Sequence, residues 1–308
     1  MSVLRWQVVA DSAARLFSAT VNPAPKPGVR FPDIAGHTTM VSIPTRHGET
    51  SATVYRPATG PNPKAAVYIN IHGGGFTVGH REQDDPWCRY LAARAGVTVV
   101  NTDYVLTPKY RFPAPVEQIY DVAQWASAPE REWDGSRLCV GGQSAGGSLA
   151  AAAARLALED GGPRILLQVL HYAPLDLVTP TKDKLSPLGD SAVMRPWMSD
   201  VFDTAYIPDP KQRRDRLASP VWGSNADDLR GIAPAVIVTA EYDRLRAEAA
   251  AYAEKLDAAG ALVAYHEVTG LDHGYNIMSD TPGAVAATRE TYDLIADQVV
   301  RAVRTAGD

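Results

Sequence analysis

Short apolar, β-branched runs recur along the 308-residue chain, and most are separated by stretches with helical spacing. The runs are Thr39 to Ile43, Ser51 to Tyr55, Ala66 to Ile71, Val97 to Thr102, Arg137 to Gly141, Ile165 to Leu170, Ala235 to Thr239 and Leu262 to Val268. The first two are joined by a turn at His47-Gly48. Helical patterns fill Trp87 to Ala95, Val116 to Ser127, Ser148 to Leu158, Ala247 to Ala259 and Ala284 to Val303. The strand runs are apolar almost throughout, as expected when helices cover both faces of a sheet. An alternation of this length predicts an α/β domain built on a mostly parallel sheet.

Two stretches break the rhythm. Asn22 to Gly36, with Pro23, Pro25, Pro27 and Pro32, is the nearest thing to a linker. It follows an N-terminal stretch in which Leu4, Val8 and Ala14 to Phe17 fall near helical spacing. Val178 to Pro220 is rich in Pro, Asp and Lys, yet holds an apolar helical patch of Trp197, Met198, Val201, Phe202 and Tyr206. An insertion of this kind between sheet strands serves as a lid, or simply docks on the core. The expected organisation is therefore an N-terminal segment over residues 1–36 and a main domain over 37–308 with an insertion at about 178–220.

Composition excludes several classes. Net charge is −5, which argues against nucleic acid, because phosphate binding needs a basic face. The densest basic stretch, Lys211 to Arg216, is interrupted by Asp215 and reads as a solvated face. The two cysteines form no CxxC, and Cys139 in Leu138-Cys139-Val140 reads as a small core residue. No run of about 18 apolar residues predicts a membrane span, and Met1 to Ala14 lacks the form of a signal peptide. The default expectation is a cytoplasmic protein. No cluster of His, Asp and Glu has metal-ligand spacing, so no metal or organic cofactor is expected.

Chemistry concentrates at Gly142-Gln143-Ser144-Ala145-Gly146, a GxSxG sequence placed after a strand run and before an Ala-rich helical run. The letters alone arise by chance in roughly one chain in ten of this length; the strand–turn–helix context is what gives them meaning. A sharp turn there holds the serine in a strained conformation, and flanking glycines avoid collisions with neighbouring chain. The helix N-terminus behind Ser144 favours developing negative charge. The bland alternative is a glycine-rich turn with an ordinary N-cap serine.

His72-Gly73-Gly74-Gly75-Phe76, at the end of the Ala66 to Ile71 run, is the second signal. Consecutive glycines let main-chain N–H groups point into a pocket, as a tetrahedral intermediate requires. Phosphate-cradling patterns such as GxxxxGK[ST] and GxGxxG are absent. His72 reads as a loop anchor rather than a base.

A nucleophilic serine needs a base, and the base an orienting acid. Asp243 follows the Ala235 to Thr239 run, and His273 follows the Leu262 to Val268 run. Both fall beyond carboxyl ends of strands, where parallel-sheet sites form. Glu241 and Asp272 are rival acids; Asp272 adjoins the histidine, so its carboxylate is expected to point away from the ring. His171 and His266 lie within strand runs, while His37, His47 and His80 lie in loops without an evident partner.

Together these motifs resemble the hormone-sensitive-lipase-like branch of the α/β-hydrolases, over a region from about Pro57 to Gly274. Asp103-Tyr104-Val105-Leu106-Thr107-Pro108-Lys109 with Phe112-Pro113-Ala114 is similar to that family's DYRLAPE…FPA segment. Asp243 to Glu248 resembles its DPLRDE segment, and Asp272-His273-Gly274 its HG element. The resemblance implies an oxyanion hole from the N–H groups of Gly74, Gly75 and Ala145, and a helical cap from the N-terminal segment and the 178–220 insertion. Gln143 departs from the usual Asp or Thr before the nucleophile, Val105 and Lys109 replace an Arg and a Glu, and Arg244 and Ala247 replace a Pro and an Asp.

The activity expected is hydrolysis of short-to-medium acyl esters through Ser144, His273 and Asp243. A small-molecule ester is then the partner, with self-association into a homodimer left open. The motifs equally admit amide, lactone or acylated-peptide substrates, since the acyl-enzyme chemistry is shared. A non-catalytic binding module usually lacks a triad member, and none is missing here. An interfacial lipase is the remaining alternative. Phe76, Trp87, Trp197, Phe202 and Tyr275 are candidate substrate contacts by adjacency to the motifs or the insertion.

Overall fold

The structure is a computed structural model that describes residues 3, 6–31, 33–34, 37–57, 59–222 and 228–305; Leu4, Pro32 and Gly36 lie outside these. Its strands are β1 (His37–Ile43), β2 (Thr50–Arg56), β3 (Ala66–Ile71), β4 (Thr98–Thr102), β5 (Asp134–Gln143), β6 (Ile165–His171), β7 (Ala235–Ala240) and β8 (Leu262–Val268). The helices are α1 (Gln7–Thr20), α2 (Asp85–Ala95), α3 (Ala114–Ser127), α4 (Ala145–Glu159), α5 (Pro196–Tyr206), α6 (Arg246–Ala258), α7 (Tyr275–Met278) and α8 (Pro282–Thr305). The strands form one sheet in the order β1-β2-β4-β3-β5-β6-β7-β8. β1 and β2 are an antiparallel hairpin, and β2 runs antiparallel to β4. From β4 to β8 every pairing is parallel. The expected α/β architecture is borne out.

The pleat explains why the central strands are apolar on both faces. Val67, Ile69 and Ile71 point to one side, with Leu138, Val140 and Ile237, and meet α3, α4 and α6. Tyr68, Cys139, Val236 and Val238 point to the other and meet Trp87 and Leu91 of α2 and Tyr292 and Val299 of α8. Fully burying one such aliphatic side chain contributes about 1.5–3 kcal/mol. Helix α4 lies close to the sheet because its inward residues are small: Ala150 to Ala154 are all buried.

Ser144, Asp243, His273 and the glycine loop all emerge past carboxyl ends, of β5, β7, β8 and β3 respectively, at the sheet edge where parallel strands leave room for a site. Over that edge α1 packs on α5 through Ala14, Val201, Phe202 and Ala205. Asp11 of α1 is buried and meets the Arg111 guanidinium at 2.7 Å, and Arg111 also donates to the Ala205 carbonyl. Val8 faces solvent instead of the core. The linker-like segment is no spacer. Lys26 N–H bonds the Ile277 carbonyl, and Val29 and Phe31 are buried. Among the described residues no helix is long and apolar enough to cross a membrane.

Candidate active site

Ser144 sits between β5 and α4 at φ 52°, ψ −123°, outside the conformations a side-chain-bearing residue prefers. The turn exists because of its glycines. A Cβ on Gly142 would stand 2.4 Å from the Ile71 carbonyl oxygen, and one on Gly146 2.0 Å from that same atom. The crossing of β3, turn and helix is thus too tight for any larger residue. Strain of this kind persists where surrounding structure over-determines it. Here the Ser144 N–H bonds the His171 carbonyl at 2.9 Å and helps fix the turn.

The three side chains separated along the chain converge. His273 Nε2 lies 2.9 Å from Ser144 Oγ, and His273 Nδ1 lies 2.7 Å from Asp243 Oδ2. Asp243 is buried, and its other oxygen accepts the Leu245 N–H at 3.0 Å. Burial works against a charge on His273, but the field and hydrogen bond of Asp243 outweigh it, with Asp272 adding, so its pKa is raised above the ordinary histidine value. The rival acids are occupied elsewhere. Glu241 accepts the Gly270 N–H, and Asp272 accepts the N–H groups of His273 and Val193.

The glycine loop faces the serine. Gly74 has φ +121°, and a Cβ there would lie 1.9 Å from the Val78 carbonyl oxygen. Among the described residues, the N–H groups of Gly74, Gly75 and Ala145 have no acceptor in a turn, loop or cap. They remain free to serve an oxyanion. His72 is buried, its Nδ1 donates to the Gly73 carbonyl at 2.7 Å, and its ring stacks on Tyr104. Burial pushes its pKa down to about 4, so it is a neutral anchor.

A cavity of about 410 Å³ opens on Ser144 and His273. Its wall is apolar for the most part, with Phe17 and Val21 from the N-terminal side, Met194, Met198 and Phe202 from the insertion, and Ile277 and Met278 from α7. Of the five candidate contacts, Phe202 lines the cavity, and it also packs against Gly75 of the glycine loop. The other four face elsewhere. Phe76 is buried beneath the loop, stacked on Tyr206 at 3.9 Å. Trp87 lies on the far face of the sheet against Tyr68 and Tyr292, because α2 buries its inward stripe there. Trp197 is 43% exposed on the outer side of α5, stacked on Phe17 at 5.6 Å. Tyr275 turns inward, its hydroxyl donating to Thr291 Oγ1 at 2.9 Å.

Sequence reasoning missed a polar cluster beneath the site. Tyr172, at φ +40°, lays its ring 4.7 Å from that of His273. Its hydroxyl lies 2.5 Å from Gln143 Oε1 and 2.6 Å from Asn276 Oδ1. Asn276 Nδ2 donates to Gln143 Oε1 at 2.7 Å. The family-atypical Gln143 therefore ties the Ser144 turn to the chain just past His273. The departure at that position was the available signal, but nothing in the sequence places its partners. Among the described residues no group of three or more His, Cys, Asp or Glu side chains is arranged to hold a metal ion.

A family model described as the alpha/beta hydrolase fold matches residues 68–277. The chain belongs to the α/β-hydrolase family. The hormone-sensitive-lipase-like resemblance of its motifs is borne out, and the chain is an enzyme of the serine-hydrolase type. This α/β-hydrolase is 35% identical over 268 residues to the carboxylic ester hydrolase LipN of Mycobacterium tuberculosis, covering 84% of this chain and 70% of that protein. It is 33% identical over 288 residues to the carboxylesterase NlhH of the same species, covering 91% and 86%. Among solved structures, an esterase of Pyrobaculum calidifontis superposes with a TM-score of 0.78 at 29% identity, covering 98% of this chain and 94% of that one.

Proposed function

We propose that this α/β-hydrolase cleaves carboxylic esters by transferring the acyl group to Ser144 and then to water. The observation that carries the reading is the continuous chain of contacts from Ser144 Oγ through His273 to Asp243, at 2.9 and 2.7 Å. His273 takes the Ser144 proton as the hydroxyl attacks the ester carbonyl, and Asp243 holds the ring and stabilises its charged form. The carbonyl oxygen, now an oxyanion, rests on the N–H groups of Gly74, Gly75 and Ala145; one such donor is worth roughly 3 kcal/mol. His273 returns its proton to the leaving alcohol. Water then attacks the acyl-enzyme, with His273 again as base, and Ser144 is regenerated. The steps need only protons and water.

The apolar cavity of about 410 Å³ favours short-to-medium acyl esters over charged or bulky substrates. The N-terminal segment and the 178–220 insertion act as its cap, since both contribute wall residues. A panel of nitrophenyl esters and matching anilides tests the class. Ester turnover that vanishes in Ser144→Ala, with anilides far slower, supports the reading. Anilides cleaved as fast as esters, or esters untouched by wild-type protein, would overturn it.

A further inference from the structure

The chain from Val178 to α5 has little regular structure, with single 3-10 turns at Thr181–Asp183 and Gly189–Ser191. It is nonetheless fastened at several points, and the fastening groups border Asp243 and His273. Arg244, next to Asp243, donates to the Lys184 carbonyl at 2.6 Å and to the Gly189 carbonyl at 2.7 Å. The carbonyl of Tyr242, on the other side of Asp243, accepts the Ser186 hydroxyl at 2.5 Å. Lys184 reaches back to the Asp176 carbonyl at 2.6 Å and pairs with Glu248 of α6. Asp272, next to His273, spans two amides: Oδ1 accepts the His273 N–H and Oδ2 the Val193 N–H, each at 2.7 Å. The strap ends at Val193 and Met194, and both line the cavity.

We propose that Asp272 is a specificity-determining positioning residue. By bridging the amides of Val193 and His273 it sets how far the Val193–Met194 wall stands from the reacting centre, and so which ester chain lengths fit. The inference rests on the ester-hydrolase reading. If the wall moved, a half-buried carboxylate oxygen and an amide N–H would both lose their partner, so one wall position is strongly preferred. Met194 alone would not define it, because its thioether chain is flexible. The remaining strap contacts restrain the segment along its length, but among the described residues only Asp272 reaches from the wall to the backbone of His273. In an apolar pocket a misfit of one methylene changes kcat/KM by roughly 10-fold or more.

The test is the ratio of kcat/KM for nitrophenyl octanoate to that for nitrophenyl acetate, because any general damage to the triad cancels in it. Asp272→Asn sets an NH₂ against one of the two N–H groups and so breaks the bridge at one end, and Val193→Pro removes the Val193 N–H without touching Asp272 or His273. Ala192, at φ −61° and ψ 146°, already has the extended backbone required before a proline. Each variant is expected to shift the ratio by roughly fivefold or more, and the double variant by no more than the larger single effect, because both delete one contact. Either single variant, if folded, decides the matter. An unchanged ratio, or effects that multiply in the double variant, overturns the inference while leaving the ester reading intact. Wild-type protein inactive on the whole panel overturns both.

Discussion

Replacing Asp243 by Asn changes no volume and one proton, and the structure gives the consequence. The acid is fully buried and holds two partners, His273 Nδ1 at 2.7 Å through Oδ2 and the Leu245 N–H at 3.0 Å through Oδ1. In the variant the amide oxygen keeps the Leu245 N–H, which leaves the NH₂ group facing His273. The ring must then accept at Nδ1 and carry its own proton on Nε2, 2.9 Å from Ser144 Oγ. The nitrogen that should receive the serine proton is already occupied. An equivalent change in a Ser-His-Asp site lowers kcat about 10⁴-fold, or about 5.4 kcal/mol of barrier. Loss of the Asp243 charge also leaves burial as the dominant influence on His273, so its pKa falls. The assay is steady-state hydrolysis of nitrophenyl butyrate across pH, with a thermal melt to show that the variant is folded. A kcat reduced less than tenfold in a folded variant, or an acid limb that does not move to lower pH, would refute the reasoning.

Further outcomes follow from the same geometry. Because His273 has a pKa raised above 6.5, it is protonated and inactive below that raised value, and kcat/KM should fall as pH drops through a point above 6.5; a profile flat down to pH 5 contradicts its role as base. Gly74→Ala forces a Cβ to within 1.9 Å of the Val78 carbonyl oxygen, so the oxyanion loop must shift and kcat should drop about 10²–10³-fold; a kcat within threefold of wild type removes this loop from the chemistry. Lys184→Met strands the Glu248 carboxylate in the interior, and urea unfolding should show a loss of about 3–5 kcal/mol; a loss under about 1 kcal/mol means that the pair is dispensable.

Much of this was written in the sequence, for physical reasons that differ by element. The central strand runs were legible because burial on both faces leaves few polar residues to blur them, and β3 matches its sequence-derived bounds at both ends; β8, an edge strand with Val263 and Tyr265 exposed, matches its bounds too. The GxSxG and HGGG segments were legible because backbone crowding at Gly142, Gly146 and Gly74 permits so few residue types. Asp243 and His273 followed from their place after strands. Side-chain direction was not legible. Phe76, Trp87, Trp197 and Tyr275 are near the motifs along the chain, but rotation about a helix or a single turn takes each away from the cavity. The Gln143–Tyr172–Asn276 cluster joins the end of β5, the residue just past β6 and helix α7, a contact that no local pattern encodes. The apparent linker hid its packing for the opposite reason, since prolines such as Pro23 look the same in a spacer and in a cavity wall.

Covalent capture addresses the nucleophile without any assumption about the natural substrate. Wild-type protein is treated with a fluorophosphonate, digested, and the adduct mapped by mass spectrometry, with Ser144→Ala and His273→Ala run in parallel. A single adduct on the peptide bearing Ser144, absent from the first variant and much slower to form in the second, is the result expected. An adduct on another residue, or undiminished ester turnover in Ser144→Ala, would contradict the assignment of residue 144 as the acyl-accepting group.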